Sequence, residues 1–248
     1  MTGSVKTEGV VLRSIRYGEA DRILHLYTAQ RGRVNAIAKG SRRPRSRFGG
    51  RLEPFFRLDL ILHEGRSELL TVTGASTLDG YGGLRSSGPA IDAAARACDA
   101  MLRLLDSNEP NRPAYNLLCR YLSLLDSRSG DGREGGEAAS VSPRVVGLAF
   151  RIKLALAAGF APELGSCARC GGADRITAFS GAAGGVVCAS CEGGGFPLSQ
   201  RAHEFMVAAL GRPLAELPAA EAADLRQVER AIGELLAHHA HVQLRATA

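Results

Sequence analysis

Ile23-Leu24-His25-Leu26-Tyr27-Thr28 and Val34-Asn35-Ala36-Ile37-Ala38, joined through Gln30-Arg31-Gly32, decide the reading of the amino-terminal part. Both runs are short and rich in β-formers. Gly32 can take the positive φ that a tight hairpin turn asks for. Working outward, Val10-Val11-Leu12 precedes the pair, while Phe55 to Leu62 and Leu69 to Thr73 follow it. Five short strands are thus predicted within the first 80 residues. So many strands in so little chain suggest a small barrel, because closure removes the exposed edges of an open meander.

From about residue 84 the apolar period changes from strand to helix. After Pro89, the residues Ile91, Ala94, Ala95, Cys98, Met101, Leu102 and Leu105 recur at helical spacing. A second helix is expected after Pro113, with Leu117, Leu118, Tyr121, Leu122 and Leu125 on its apolar face. A third starts at Ser142-Pro143, a cap followed by proline in the first turn, and runs to Gly159. The intervening Asp126 to Val141, rich in Ser, Gly, Asp and Glu, reads as a mobile surface loop. Residues 160–197 read as a glycine-rich loop region, and two more helical stretches are expected, Ser199 to Leu210 and Ala220 to about Leu244. The expected layout is 1–80 as a β domain, 81–160 as the first part of a helical domain, 161–197 as a cysteine module and 198–248 as the second helical part.

The 248 residues are 45% apolar and 23% charged, which excludes a disordered tail or a collagen-like fibre. No apolar run approaches the roughly 18–20 residues of a membrane helix. The start, Met1 to Glu8, lacks the apolar core of a secretory signal, so the cytoplasm is the expected compartment. Charge is unevenly placed. Residues 1–80 hold 14 Lys and Arg against 8 Asp and Glu, an excess equal to the whole net charge of +6. A local excess of this kind concerns partners, with phosphate backbones and anionic lipids as the usual ones.

Most of the excess lies in Lys39-Gly40-Ser41-Arg42-Arg43-Pro44-Arg45-Ser46-Arg47-Phe48-Gly49-Gly50-Arg51, six cations and no anion. Guanidinium groups bind phosphate through two parallel hydrogen bonds, and Gly and Pro let such a loop follow a strand. Arg13, Arg16 and Arg33 would extend the surface if they project from neighbouring strands on the same side. The bland alternative is a solvated loop whose charge serves solubility. The nearby aromatics, Tyr17, Tyr27, Phe48, Phe55 and Phe56, are mostly expected in the barrel core, so phosphate contact outweighs base stacking.

Cys167-Ala168-Arg169-Cys170 and Cys188-Ala189-Ser190-Cys191 have zinc-ligand spacing, with 17 residues between the pairs. Four thiolates leave no open coordination site, so one structural zinc ion is expected rather than a water-activating one. Two disulfides or a redox CxxC are the alternatives. Cys98 and Cys119 read as buried hydrophobes, and His238, His239 and His241 as residues favoured by a helix carboxyl end. Glu19 and Asp21, flanked by Arg16 and Arg22, read as partners in surface ion pairs. No phosphate-binding GxxxxGK[ST] loop, HExxH pair or GxSxG elbow occurs, so the chain is not expected to be an enzyme.

Val11-Leu12-Arg13, Tyr17-Gly18-Glu19-Ala20-Asp21-Arg22-Ile23, Tyr27-Thr28, Gly32, Ala38-Lys39-Gly40-Ser41-Arg42-Arg43 and Arg51-Leu52-Glu53-Pro54-Phe55 together resemble the bacterial RecO family of recombination mediator and DNA-repair proteins. The resemblance is dense over about residues 5–65 and looser beyond. After Leu235 the basic, serine-containing ending associated with the family is lacking. The resemblance implies an α+β multidomain chain: an N-terminal OB-fold β-barrel, then an α-helical domain with an inserted four-cysteine zinc module. It implies binding to single- and double-stranded DNA, annealing of complementary strands and, with RecR, help for RecA at gaps coated with single-strand-binding protein, whose acidic C-terminal tail would dock on the helical part. A cytoplasmic, nucleoid-associated location goes with that role. Arg13, Arg33, Lys39, Arg42, Arg43, Arg45, Arg47 and Arg51 are the expected nucleic-acid contacts, and Cys167, Cys170, Cys188 and Cys191 the metal ligands. The competing readings are an RNA-binding or transcription-associated zinc protein with an OB-fold, and a zinc hydrolase acting on nucleic acid.

Overall fold

The structure is a computed structural model that describes residues 3–65, 67, 69–106, 108–130, 142–173 and 175–247. The chain divides into two compact units, 1–131 and 132–248. In the first, strands β1 (Ser4–Tyr17), β2 (Asp21–Thr28), β3 (Gly32–Ala38), β4 (Arg57–His63) and β5 (Leu70–Asp79) close into a barrel in the order β1-β2-β3-β5-β4. The five predicted strands are present, and β1 is much longer than its apolar Val10-Val11-Leu12 centre indicated.

β1 serves two partners, pairing antiparallel with β4 over its first half and with β2 over its second. A register shift between Val11 and Arg13 lies at the change-over. Such a bulge bends a strand and lets it turn a barrel corner. A short parallel pairing, Ala36 with Leu70 and Ile37 with Thr71, completes closure. Gly32 holds φ +62°, and a Cβ there would lie 1.9 Å from the Glu109 carbonyl oxygen, so no other residue fits this hairpin.

The barrel interior holds Val11, Leu24, Leu26, Val34, Leu58, Leu60, Leu62 and Val72, and also Phe48 and Leu52 from the basic stretch. That stretch therefore closes one end of the barrel from within. Three helices complete the unit: α1 (Gly82–Ser86), α2 (Gly88–Leu104) and α3 (Arg112–Gly130). α1 was not foreseen. α3 runs through Asp126 to Gly130, where the sequence reading placed a loop. Leu122 and Leu125 stay buried, and the Asp126 carboxylate accepts from the Leu84 backbone N–H at 2.9 Å. The rest of that expected loop, 131–141, lies outside the described residues.

The second unit contains α4 (Pro143–Ala157), β6 (Ile176–Ser180), β7 (Gly185–Cys188), β8 (Phe196–Pro197), α5 (Gln200–Gly211) and α6 (Ala222–His239). The stretch 160–197 is thus no plain loop: it carries a three-stranded sheet in the order β7-β6-β8. Buried Ala178, Phe179, Val186 and Val187 drive it, although its glycine-rich flanks dilute the strand pattern. The Ser199 hydroxyl caps α5 by accepting from the Ala202 N–H at 3.1 Å. α6 ends at His239 rather than near Leu244, since His241 has φ +54°.

Beyond α6 the chain is held by Glu229. Its carboxylate accepts from the Thr247 backbone N–H at 2.5 Å and hydroxyl at 2.7 Å, and pairs with Arg144 at 3.0 Å and buried Arg151 at 3.5 Å. Burial raises this carboxyl's pKa, but Thr247, Arg144 and Arg151 outweigh burial and hold it below its ordinary value. A depressed carboxylate stabilises the fold above the unfolded group's pKa, about 4.3, and the contribution is lost as pH falls through the lower folded value. Glu229→Gln, which removes the carboxylate charge that pairs with Arg144 and Arg151, is expected to cost about 2 kcal/mol in urea unfolding at pH 7. The difference from the parent chain should shrink on acidification below pH 4.

Candidate nucleic-acid interface and metal centre

Eighteen residues separate β3 from β4, and the first thirteen carry the six cations without an acidic neighbour between Asp21 and Glu53. Successive tight turns order them. Backbone N–H groups of Arg43, Ser46, Gly49 and Arg51 donate to the carbonyls of Gly40, Arg43, Ser46 and Phe48. The start is tied to the β1–β2 turn, where the Gly40 N–H donates to Asp21 Oδ1 and the Arg42 N–H to the Ala20 carbonyl, both at 2.8 Å. With Phe48 and Leu52 anchored inside, Arg42, Arg43, Arg45 and Arg47 point outward, and Lys39 is exposed beside them. The Arg47 guanidinium rests 4.9 Å from the centre of the Phe48 ring. Preordered cations lose less entropy on meeting an anion than cations on a floppy loop.

The other three expected contacts sit differently. Arg13 pairs at 3.5 Å with the buried Asp99 of α2, which also holds Arg103 at 2.7 Å. The Arg33 guanidinium donates to the Leu102 carbonyl at the end of α2, and the Arg33 carbonyl accepts from the Asn108 N–H at 2.9 Å. Arg51 donates to the Ala75 carbonyl of β5 at 3.0 Å. The structure thus gathers Lys39, Arg42, Arg43, Arg45 and Arg47 at one barrel end, while Arg13 and Arg33 brace the barrel against α2. Arg16 is exposed near the end of β1, opposite Arg22 of β2. The expected ion pairs of Glu19 and Asp21 are replaced: Arg22 pairs with Glu53 at 2.7 Å, and Asp21 is turned to Gly40. Tyr27, Phe48 and Phe55 are buried as anticipated, and Phe56 is half-buried beneath Arg85 at 4.0 Å. Tyr17 stands apart at 54% exposure, and with it Ile15 at 43%. Sequence reasoning passed over Ile15; the signal was the alternation Arg13, Ile15, Tyr17 along one outward side of β1.

The four cysteines converge. The Sγ atoms of Cys167, Cys170, Cys188 and Cys191 all lie within 4.8 Å of one another, and Cys170 and Cys188 are 3.8 Å apart. Thiolates about 2.3 Å from a tetrahedral centre would themselves be about 3.8 Å apart. Cys167 and Cys170 sit on a turn closed by the Gly171 N–H to the Cys167 carbonyl and the Cys167 N–H to the Gly172 carbonyl, each 2.8 Å. Cys188 ends β7, and Ala189–Cys191 form a 3-10 turn. Gly185 admits no side chain, because a Cβ would meet the Glu163 carbonyl oxygen at 2.3 Å. Backbone N–H groups of Cys188 and Cys170 lower the Cys167 thiol to about 6, while contact with Cys188 and then Cys170 pushes Cys191 up to about 12. Four crowded sulfurs do not all ionise unaided, and a cation among them removes that conflict. The set could hold a metal ion. Cys98 is buried and Cys119 half-buried, while His239 hydrogen-bonds the Gly181 carbonyl at 2.8 Å. No helix among the described residues is long and apolar enough to cross a membrane.

A closed five-stranded OB-like barrel with a basic end, followed by a helical unit carrying a four-thiol cluster, defines a class of multidomain barrel proteins with a candidate metal module. The family described as Recombination protein O N terminal matches residues 1–81, and Recombination protein O C terminal matches 85–248. The chain is 42% identical over 236 residues to a DNA repair protein RecO of Rubrobacter xylanophilus, covering 94% of this chain and 90% of that one. It is 38% identical over 194 residues to that of Anaeromyxobacter sp. strain K, covering 77% and 71%. The RecO of Bifidobacterium animalis subsp. lactis is 38% identical over 185 residues, covering 74% and 72%. The chain belongs to the RecO family of DNA repair proteins.

Proposed function

We propose that this chain is a recombination mediator that binds single- and double-stranded DNA, anneals complementary strands and, with RecR, assists RecA loading onto gaps coated with single-strand-binding protein. The observation that carries the reading is the outward cluster of Lys39, Arg42, Arg43, Arg45 and Arg47 on a preordered barrel end. Annealing brings two polyanions together, and a surface that neutralises phosphates on both lowers their repulsion. Contacts made to phosphate rather than base edges leave the bases free to pair. No bond is made or broken in that process, so the reading asks for no catalytic residue.

Functionally, 1–80 would be the nucleic-acid domain, 81–160 and 198–248 the helical support, and 161–197 the metal module. Cys167, Cys170, Cys188 and Cys191 would hold one zinc ion, which supplies a cross-link and, with four protein ligands, offers no site for water. An acidic, apolar tail of single-strand-binding protein would dock on the helical part. This role is that of a cytoplasmic protein working at the nucleoid.

Annealing of complementary strands coated with single-strand-binding protein, followed across a salt series without nucleotide, tests the reading. Annealing at low salt that fades steeply as salt rises is the expected result. A rate equal to the uncatalysed one at every salt concentration would overturn it.

A further inference from the structure

The four thiols of the cysteine module do not meet solvent alike. Cys167 is buried in the apolar cluster with Ala178 and Val187, Cys188 and Cys191 are half-buried, and Cys170 is exposed. Cys170 also stands 3.8 Å, sulfur to sulfur, from Cys188, which belongs to the other CxxC pair and ends β7. A disulfide needs about 2.05 Å between its sulfurs, so a side-chain movement of under about 2 Å would join the two. Joining Cys170 to Cys167 instead would draw a core sulfur out of its packing, inside a turn that two backbone hydrogen bonds of 2.8 Å already fix. Arg169 adds charge at the same corner. Its guanidinium donates to the Cys191 carbonyl at 3.0 Å, whereas the Glu192 carboxylate is taken up by the Thr177 hydroxyl at 3.2 Å. A cation beside a sulfur favours the thiolate, which is the nucleophilic form.

Oxidation of cysteine follows thiolate character and exposure, and Cys170 combines the two. Resting on the zinc reading above, we propose that Cys170 is a peroxide-reactive site whose oxidation joins it to Cys188 and releases the ion. In the first step the Cys170 thiolate attacks one oxygen of hydrogen peroxide. The O–O bond breaks, a sulfenic acid forms on Cys170 and hydroxide leaves. In the second step the Cys188 thiolate attacks the Cys170 sulfur, the S–S bond forms and a second hydroxide leaves. Two protons from solvent turn both hydroxides into water, so the two thiolates lose two electrons and the peroxide gains them. Cys167 and Cys191 then remain as ligands, half the set that a structural zinc requires. A thiol reductant reverses the bond. Cys98 and Cys119 do not compete: burial pushes the Cys98 thiol up to about 12 and raises that of Cys119, so both stay protonated at neutral pH. The metal cross-link of the carboxyl-terminal unit would thus be present under reducing conditions and absent in peroxide.

The test treats the intact, zinc-loaded chain with hydrogen peroxide beside a chromogenic zinc indicator and maps disulfides by mass spectrometry without reduction. A parallel sample contains dimedone, which traps sulfenic acids. The expected results are one zinc ion released per chain, a Cys170–Cys188 bond, and zinc binding regained after thiol reduction. Dimedone should label Cys170 at least about tenfold more than Cys98 or Cys119. The double variant Cys98→Ala, Cys119→Ala, which keeps all four ligands, should release zinc at the parent's rate. Zinc retained under excess peroxide would overturn the proposal, as would first labelling at another ligand or a bond confined to one CxxC pair. A parent chain free of zinc before treatment would overturn the metal reading itself, and this inference with it.

Discussion

Replacing Arg42, Arg43 and Arg45 together by glutamate is expected to weaken DNA binding at low salt by at least about a hundredfold and to flatten its salt dependence. The reason is counterion release. Each phosphate neutralised by a protein cation contributes about 0.9 to the slope of log affinity against log salt for duplex DNA, and about 0.7 for single strands. Three lost contacts should therefore reduce the slope by about 3 on duplex and about 2 on single strands. Reversal adds repulsion where attraction stood, which is why the affinity loss exceeds that of neutral substitutions. The fold should survive, because these side chains point outward and the loop is held by Phe48, Leu52 and backbone turns. Arg13→Ala and Arg33→Ala make the contrast. Those side chains brace the barrel against α2, so their loss should register in thermal unfolding more than in the salt slope. Titrations of all three variants on one oligonucleotide across a salt series, with thermal unfolding of each, measure both quantities.

Cys188→Ser, or a strong chelator applied to the parent chain, is expected to melt the module around β6 and β7 and lower the unfolding temperature by about 10 °C or more. Structural zinc in small modules contributes an apparent 10–16 kcal/mol at neutral pH, comparable to the entire stability of a domain. A small apolar cluster, Cys167, Ala178 and Val187 with their neighbours, packs beside the sulfurs. Cys167 is thus both ligand and core residue, Cys188 and Cys191 pack against the same cluster, and without a cation these crowded sulfurs repel once ionised. Metal analysis of protein purified without chelator should return one zinc per chain, lost in the variant. Hydrogen exchange should show the amides of 163–198 exposed in the variant while the barrel strands keep their protection, since the barrel lies in the other unit. A stable, metal-free parent chain would reject the module as a metal centre.

Much of this was legible in the sequence because local rules and the fold agree. The β2–β3 hairpin followed from alternation and Gly32, the cysteine cluster from its spacing, and the starts of α4 and α5 from Ser142-Pro143 and Ser199. What escaped depends on partners distant in the chain. Lys6, Glu8, Arg13 and Arg16 interrupt the apolar pattern of β1, which is long only because it pairs with two different strands. Phe48 and Leu52 plug the barrel from inside the most basic stretch, where composition suggested solvent. β6 and β7 are short runs set among glycines, and α3 passes through polar residues because its other face is buried. Arg13 and Arg33 looked like Arg42 and Arg43 in composition. Only the packing of α2 separates braces from outward cations.

Crosslinking a photoreactive single-stranded oligonucleotide to the intact chain, with mass-spectrometric mapping of the attachment sites, tests the central claim most directly. Attachment within 39–51 and on the neighbouring outward face of β1–β3 is the predicted result. Attachment confined to 142–247, or none at low ionic strength, would contradict a barrel end built to grip phosphate chains.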